Sequence, residues 1–254
     1  MTEEAKPTPY GREFYLDQQD GSLRSAAAVV PRILEVFEPG SAFDVGCGVG
    51  TWLSVIEQSG VQDVVGVDGD YVDRSMLKIA PDRFVAADLR KPLPVSRTFD
   101  LAMCLEVAEH LPEAAGEALV RQLTALAPVV VFSAAIPGQA GTDHINEQWQ
   151  DYWRARFAAE GFAAYDVIRP RIWNDDRIEF WYRQNIICYI KRGHPSADGL
   201  TAVADDASLN FVHPALFRQA CRQADMFLSK AVRMLPRLAV KAMKRRLPSR
   251  SAAG

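Results

Sequence analysis

The sequence predicts an α/β chain: a doubly wound sheet of seven strands, mostly parallel and covered by helices on both faces, followed by a C-terminal helical tail. Three observations predict it. Short apolar runs alternate with helix-patterned segments through most of the chain, as strand–helix–strand units require. One run, Ala42 to Val45, enters a glycine-rich turn, Gly46-Cys47-Gly48-Val49-Gly50, and then a helical pattern from Trp52. A second run, Asp63 to Asp68, ends on an acid about 20 residues past the glycines, where the tip of a second strand accepts bonds from ribose hydroxyls.

The elements follow in order. Residues 1–12 are polar, with Pro7 and Pro9, and are expected to fray. Ser22 reads as the N-cap of a helix reaching about Phe37, with Pro31 a point where it kinks or divides. The glycine turn opens a helix over 49–59, stopped by Gly60. Tyr71 to Ile79 reads as a short helix, and Arg83 to Asp88 as a third strand ending in an acid. Phe99 to Leu105 is apolar almost throughout, as a strand buried on both faces should be. A helix over 113–127, a fifth strand over 128–133 and a helix from Asn146 to Glu160 come next, with Asn146 as its N-cap. Phe162–Ile168 and Phe180–Ile190 read as the last two strands.

Composition bounds the rest. The 254 residues hold 48% apolar and 24% charged side chains, ordinary globular values, and a net charge of −3. From Arg218 to Arg250 there are ten Lys or Arg against one acid, Asp225, so the preceding 217 residues hold 19 bases and 31 acids. An acidic body carries a basic tail. Cys47, Cys104, Cys188 and Cys221 form no C-x-x-C pair, which argues against a disulfide framework and against a thiolate zinc site. The first three fall in or beside strands and read as small core residues. The opening residues show no apolar h-region and the chain no run of 18 apolar residues, so neither a signal peptide nor a spanning helix is expected, and cytoplasm is the default location.

The glycines alone fit a tight strand-to-helix turn, and their G-x-G-x-G spacing differs from the G-x-G-x-x-G of dinucleotide sites. Together, D-V-G-C-G-V-G-T-W and V-V-G-V-D resemble the first two motifs of class I S-adenosylmethionine (SAM)-dependent methyltransferases, over roughly residues 40 to 190. The resemblance implies a Rossmann-like sheet with an antiparallel final strand. It implies SAM as cofactor, with Asp44, Gly46, Cys47, Gly48 and Gly50 in the loop under its methionine part. It implies Asp68, with Gly69, at the ribose. Asp88, Leu89 and Leu105 would border the adenine side, although Asp88 fits a solvated strand-end carboxylate equally well. Tyr15 and Ser25 on the first helix could close over the cofactor or simply pack.

At the end of the fourth strand stands Glu106-Val107-Ala108-Glu109-His110-Leu111-Pro112. Ligands in open α/β sheets bind beyond the carboxyl ends of the strands, so this segment borders the pocket. Its E-x-x-E-H pattern is similar to that of metal-assisted O-methyltransferases of the ubiquinone pathway and of small-RNA 3′ ends. That resemblance implies Glu106, Glu109, His110 and a later histidine, here His144, as ligands of a divalent cation, Mg or Mn. Three roles stay open for His144: metal ligand, metal-free general base together with or instead of His110, or a structural bond at a helix start. The aromatic face Trp149, Tyr152, Trp153 and Arg156, with Phe157 beside it, fits core packing or an acceptor wall. Arg169, Arg171 and Arg183, around a polar loop between the last strands, fit surface solvation or an anionic acceptor.

The organisation expected is an N-terminal segment with a cofactor-covering helix (1–38), a SAM-binding domain (39–192), and a linker with a basic amphipathic tail (193–254). The tail, with Pro236 dividing it, fits a peripheral membrane contact, a partner, or docking on the acidic body. The acceptor expected is a small-molecule or glycan hydroxyl. RNA-end methylation and a non-catalytic SAM-binding role are the alternatives. The acidic body, without an aromatic and basic platform, opposes nucleic acid.

Overall fold

The computed structural model describes residues 12–224 together with Val232 and Leu235. The fraying expected of residues 1–11, and most of the basic tail, lie outside them. A seven-stranded sheet runs in the order β3-β2-β1-β4-β5-β7-β6. The strands are β1 (Ser41–Val45), β2 (Asp63–Asp68), β3 (Phe84–Ala86), β4 (Leu101–Leu105), β5 (Val129–Ser133), β6 (Phe162–Tyr165) and β7 (Ile187–Lys191). The first five are parallel, and β7 runs antiparallel to both β5 and β6.

Alternation along the strands builds two cores. Ala42, Leu101, Met103, Val129 and Val131 enter one, with residues of helices α1 (Arg12–Phe37) and α2 (Thr51–Gln58). Phe43, Val45, Ala102, Cys104, Val130 and Phe132 enter the other, with α3 (Glu113–Leu126) and α4 (Gln150–Ala159). A period of two on strands buried from both sides thus covers the sheet twice. The strand order reverses at β1 and β4, so their carboxyl ends flank the crevice.

Several boundaries differ from the sequence reading. Ser22 lies inside α1, which also runs through Pro31. Gly21 lies within the helix where the Glu179 side chain packs, and a Cβ there would come within 2.7 Å of its Oε1. Ser25 is buried and ties the helix down, donating to the Gly21 carbonyl and accepting from the Glu179 N–H. Residues 71–79 hold only a 3₁₀ turn, Arg74–Met76, since buried Val72 and Ile79 and the bond from Lys78 N–H to the Val49 carbonyl (2.7 Å) stretch the segment along the sheet. Asn146 is no N-cap. The Ile145 and Asn146 N–H groups both donate to the Glu109 carbonyl and Gln148 N–H to that of Ala135, which delays α4 to Gln150.

The reading of 180–190 as one strand is also corrected. Helix α6 (Phe180–Asn185) precedes β7, and a short α5 (Arg169–Ile172) lies before it. Gln184 and Asn185, at the end of this helix, are buried amides that bond to the side chains of Gln139 and Glu106. Residues up to 213 form one compact unit and 214–254 a second, in which 214–224 are helical. Among the described residues no helix is long and apolar enough to cross a membrane.

Candidate active site

The glycine turn leaves β1 with φ of 75° at Gly46, 54° at Gly48 and 80° at Gly50. At Gly46 a side chain would also collide with Val107 of the loop after β4, so glycine lets the two loops touch. Gly50 is the N-cap of α2 and no side chain caps that helix, which leaves first-turn N–H groups to a ligand. Asp68, buried at the tip of β2, accepts from the Gly48 N–H at 2.7 Å and the Gly69 N–H at 2.6 Å. It also accepts from the Tyr71 hydroxyl at 2.6 Å, whose ring lies over Gly69.

Asp44 is buried beneath the turn. Desolvation, then the charge of Asp68, raises its carboxyl well above the usual range. Burial likewise pushes up the Cys47 thiol, which faces the Gly48 carbonyl. Asp88, past the end of β3, stands apart: Arg90 grips it and holds it at about 2. Leu89 is partly buried against the second core, and Leu105, at the end of β4, is buried in the first.

Beyond β4, Glu106 takes a left-handed backbone (φ 56°) and a 3₁₀ turn carries Ala108–His110. Glu109, His110 and His144 gather there, with one ligand atom from each within 4.8 Å of the others. The two imidazoles meet edge to face at 4.8 Å between centroids. Glu109 is 0% exposed, and neither carboxylate oxygen has a hydrogen-bond partner. Burial, then the charge of Glu106, raises its pKa well above the carboxylate range; the N–H groups of Glu109 and Ala135 offset this in part without reaching bonding geometry. Burial, then His144, lowers the pKa of His110, which favours the neutral imidazole.

Glu106 does not join this cluster. Its two oxygens accept from Asn185 Nδ2 at 3.1 Å and Gln139 Nε2 at 2.9 Å. Gln184 Nε2 donates onward to Gln139 at 3.1 Å and to Asn185 at 3.0 Å, so four side chains, from the loops after β4 and β5 and from α6, form one buried network. Three of the four residues that the resemblance implies as ligands thus lie together, and Glu106 lies apart in the amide network. The left-handed turn at Glu106 sends its carboxylate into the amides instead.

The arginines and the aromatic face have structural partners. Arg169 is buried, bonded to Asp166 and to the carbonyls of Leu209 and Gln184. Arg171 reaches Glu35, and Arg183 reaches Asp176. Trp153, 1% exposed, packs on Phe132, while Trp149 is 39% exposed, so the face is not one wall. Tyr152 and Arg156 bond to Glu117 of α3.

The description "Methyltransferase domain" matches residues 17–169 of this chain. The chain belongs to that family. It is a SAM-dependent methyltransferase. No curated protein is similar to the sequence at a significant level. Among solved structures, the sugar N-methyltransferase KedS8 from Streptoalloteichus sp ATCC 53650 is similar at 17% identity, 76% of this chain and 96% of that one, with a TM-score of 0.56. Magnesium protoporphyrin IX methyltransferase from Synechocystis PCC 6803 with bound SAM gives 19%, 74%, 86% and 0.51. CalS10, an amino pentose methyltransferase from Micromonospora echinaspora, gives 19%, 75%, 100% and 0.50. At such identities the likeness is one of fold.

Four residues at this methyltransferase's crevice escape sequence reasoning: Gln139, Glu147, Gln184 and Asn185. Glu147 reads as a helix-start acid, yet it sits 3.0 Å from His144 Nδ1. A signal existed for the amides: Arg183-Gln184-Asn185 is a polar triplet inside an otherwise apolar run.

Proposed function

We propose that this methyltransferase moves the SAM methyl group to a hydroxyl of a small-molecule or glycan acceptor, at a divalent-cation site made by Glu109, His110 and His144. One observation carries the reading. A carboxylate buried with both oxygens unpartnered is costly unless a cation compensates it, and two imidazoles share its site. The donor set, one carboxylate and two imidazoles, suits Mn²⁺ and its neighbours in the series. Burial and His144 favour the neutral form of His110, the form in which an imidazole ligates a metal. Glu109 would give up its proton on binding, so cation affinity should rise with pH.

When bound, SAM supplies the electrophilic methyl carbon and the cation lowers the pKa of the acceptor hydroxyl. The chain's own residues position the reactants. Gly46 to Gly50 seat the methionine part, and Asp68 holds the ribose hydroxyls in place of the Tyr71 hydroxyl. In this reading the cluster after β4 would hold the acceptor oxygen. The new O–C bond replaces the S–C bond, and the proton leaves to water.

A second reading has its own support. The Glu147–His144 pair is the arrangement of a general base oriented by a carboxylate. Methyl transfer from labelled SAM across a hydroxyl panel, before and after chelation, separates the two. Activity lost with EDTA and restored by Mn²⁺ supports the cation. Activity that survives chelation and disappears in His144→Ala makes His144 the base. No transfer to any hydroxyl rejects the acceptor class.

A further inference from the structure

His144 hangs on a loop that strains to reach Glu109. Between β5 and α4, Ala140 and Asp143 take left-handed backbone, φ 59° and 56°. Such a conformation is unfavourable for a non-glycine residue, so neighbouring contacts must hold it. Glu147 supplies them at Ala140. Its Oε2 accepts from the Gly138 N–H at 2.8 Å and its Oε1 from the Ala140 N–H at 2.9 Å. The same Oε1 lies 3.0 Å from His144 Nδ1. One carboxylate thus closes the loop and binds the ring.

The consequence for the ring is chemical. A carboxylate only accepts, so a neutral His144 must carry its hydrogen on Nδ1 and keep its lone pair on Nε2. Gly141 leaves room for this placement, since a Cβ there would collide with the imidazole.

We infer that Glu147 is the positioning residue of the site: it selects the Nδ1–H tautomer of His144 and so presents Nε2 as ligand or base. This rests on the role proposed above for His144, but not on whether a cation or a proton is taken up. Neither the E-x-x-E-H spacing nor the glycine loop points to Glu147.

The test uses full-length, EDTA-treated protein labelled with ¹⁵N-histidine, with the His144 resonances assigned from a His144→Gln variant. The neutral wild-type ring should show the Nδ1–H tautomer. Glu147→Ala should give a mixture of tautomers and weaken Mn²⁺ binding roughly 10–100-fold. Glu147→Gln keeps an oxygen for the Ala140 N–H and the ring, so it should fold, retain the tautomer and lose about tenfold in Mn²⁺ affinity with the charge. An Nε2–H ring in the wild type overturns the inference. So does a Glu147→Ala protein that melts earlier while its His144 tautomer stays unchanged, because the carboxylate would then only tie the loop. If wild-type protein binds no Mn²⁺, the cation reading fails, while the tautomer comparison still decides the role of Glu147.

Discussion

Glu109→Gln should make the cation-free protein more stable at neutral pH and the Mn²⁺-loaded protein less stable than wild type. The difference arises at the buried carboxylate. Its folded-state pKa is raised, mainly by burial, while the unfolded chain titrates near about 4.3. Below that value both states hold the proton and the group contributes no difference. Above it the unfolded state releases its proton and the native state keeps it, so wild-type stability falls as pH rises, until the folded pKa is passed. Glutamine does not titrate, so the gap between variant and wild type should open from about pH 4.3 upward. An unpartnered buried polar group costs about 1–3 kcal/mol, and a charged one more. The amide left by the substitution has its own N–H groups to satisfy, which offsets part of the gain. A net of about 1–3 kcal/mol at pH 8 corresponds to a melting temperature about 2–10 °C higher for a chain of this size. Calorimetry of EDTA-treated protein between about pH 4.5 and 8 reads the gap. Mn²⁺ at a hundred times its Kd should then stabilise wild type by about 2.7 kcal/mol and the variant by less, reversing the order. Equal melting of the two chelated proteins at every pH, or an equal lift by Mn²⁺, would refute the reasoning.

Other consequences follow from the same geometry. Asp68→Ala removes the acceptor of the Gly48, Gly69 and Tyr71 donors and should weaken SAM binding at least tenfold, about 1.4 kcal/mol; unchanged affinity by titration calorimetry would remove the ribose assignment. Gly141→Ala sets a methyl group against the His144 ring at a position outside the left-handed region, so methyl transfer should fall at least about tenfold with little change in melting temperature. Trp153→Ala empties a fully buried site on Phe132 and should cost about 3–5 kcal/mol in denaturant unfolding; a loss under about 1 kcal/mol would contradict the packing described. The basic segment should bind anionic vesicles, each lysine or arginine near the surface adding about 1 kcal/mol. Removal of residues 225–254 should therefore reduce co-sedimentation with such vesicles. The cut spares Phe211 and His213, which bond to Gln150 and Gln184 of the body.

The sequence by itself determined the sheet, the glycine turn and the pairing of that turn with Asp68. These are matters of short sequence stretches: apolar runs such as Ala42 to Val45 and Leu101 to Leu105, and a glycine wherever φ must be positive. It also named Glu109, His110 and His144 together, because β4 and β5 are neighbours and their exit loops meet. Only the tertiary structure separated Glu106 from Glu109. Three residues apart in a repeated pattern, they look equivalent, but the left-handed turn at Glu106 delivers it to Gln139 and Asn185, 33 and 79 residues away. The same holds for the helix over Phe180–Asn185, read as strand from its apolar content, and for the delayed start of α4. In each case the deciding bonds come from chain segments distant in sequence, and local periodicity carries no record of them. Glu147 shows the limit most clearly. Its spacing from His144 is local, yet the role proposed for it depends on a loop closed at Gly138 and Ala140 and on the approach of His144 to within 4.8 Å of Glu109 and His110, which only the folded chain brings about.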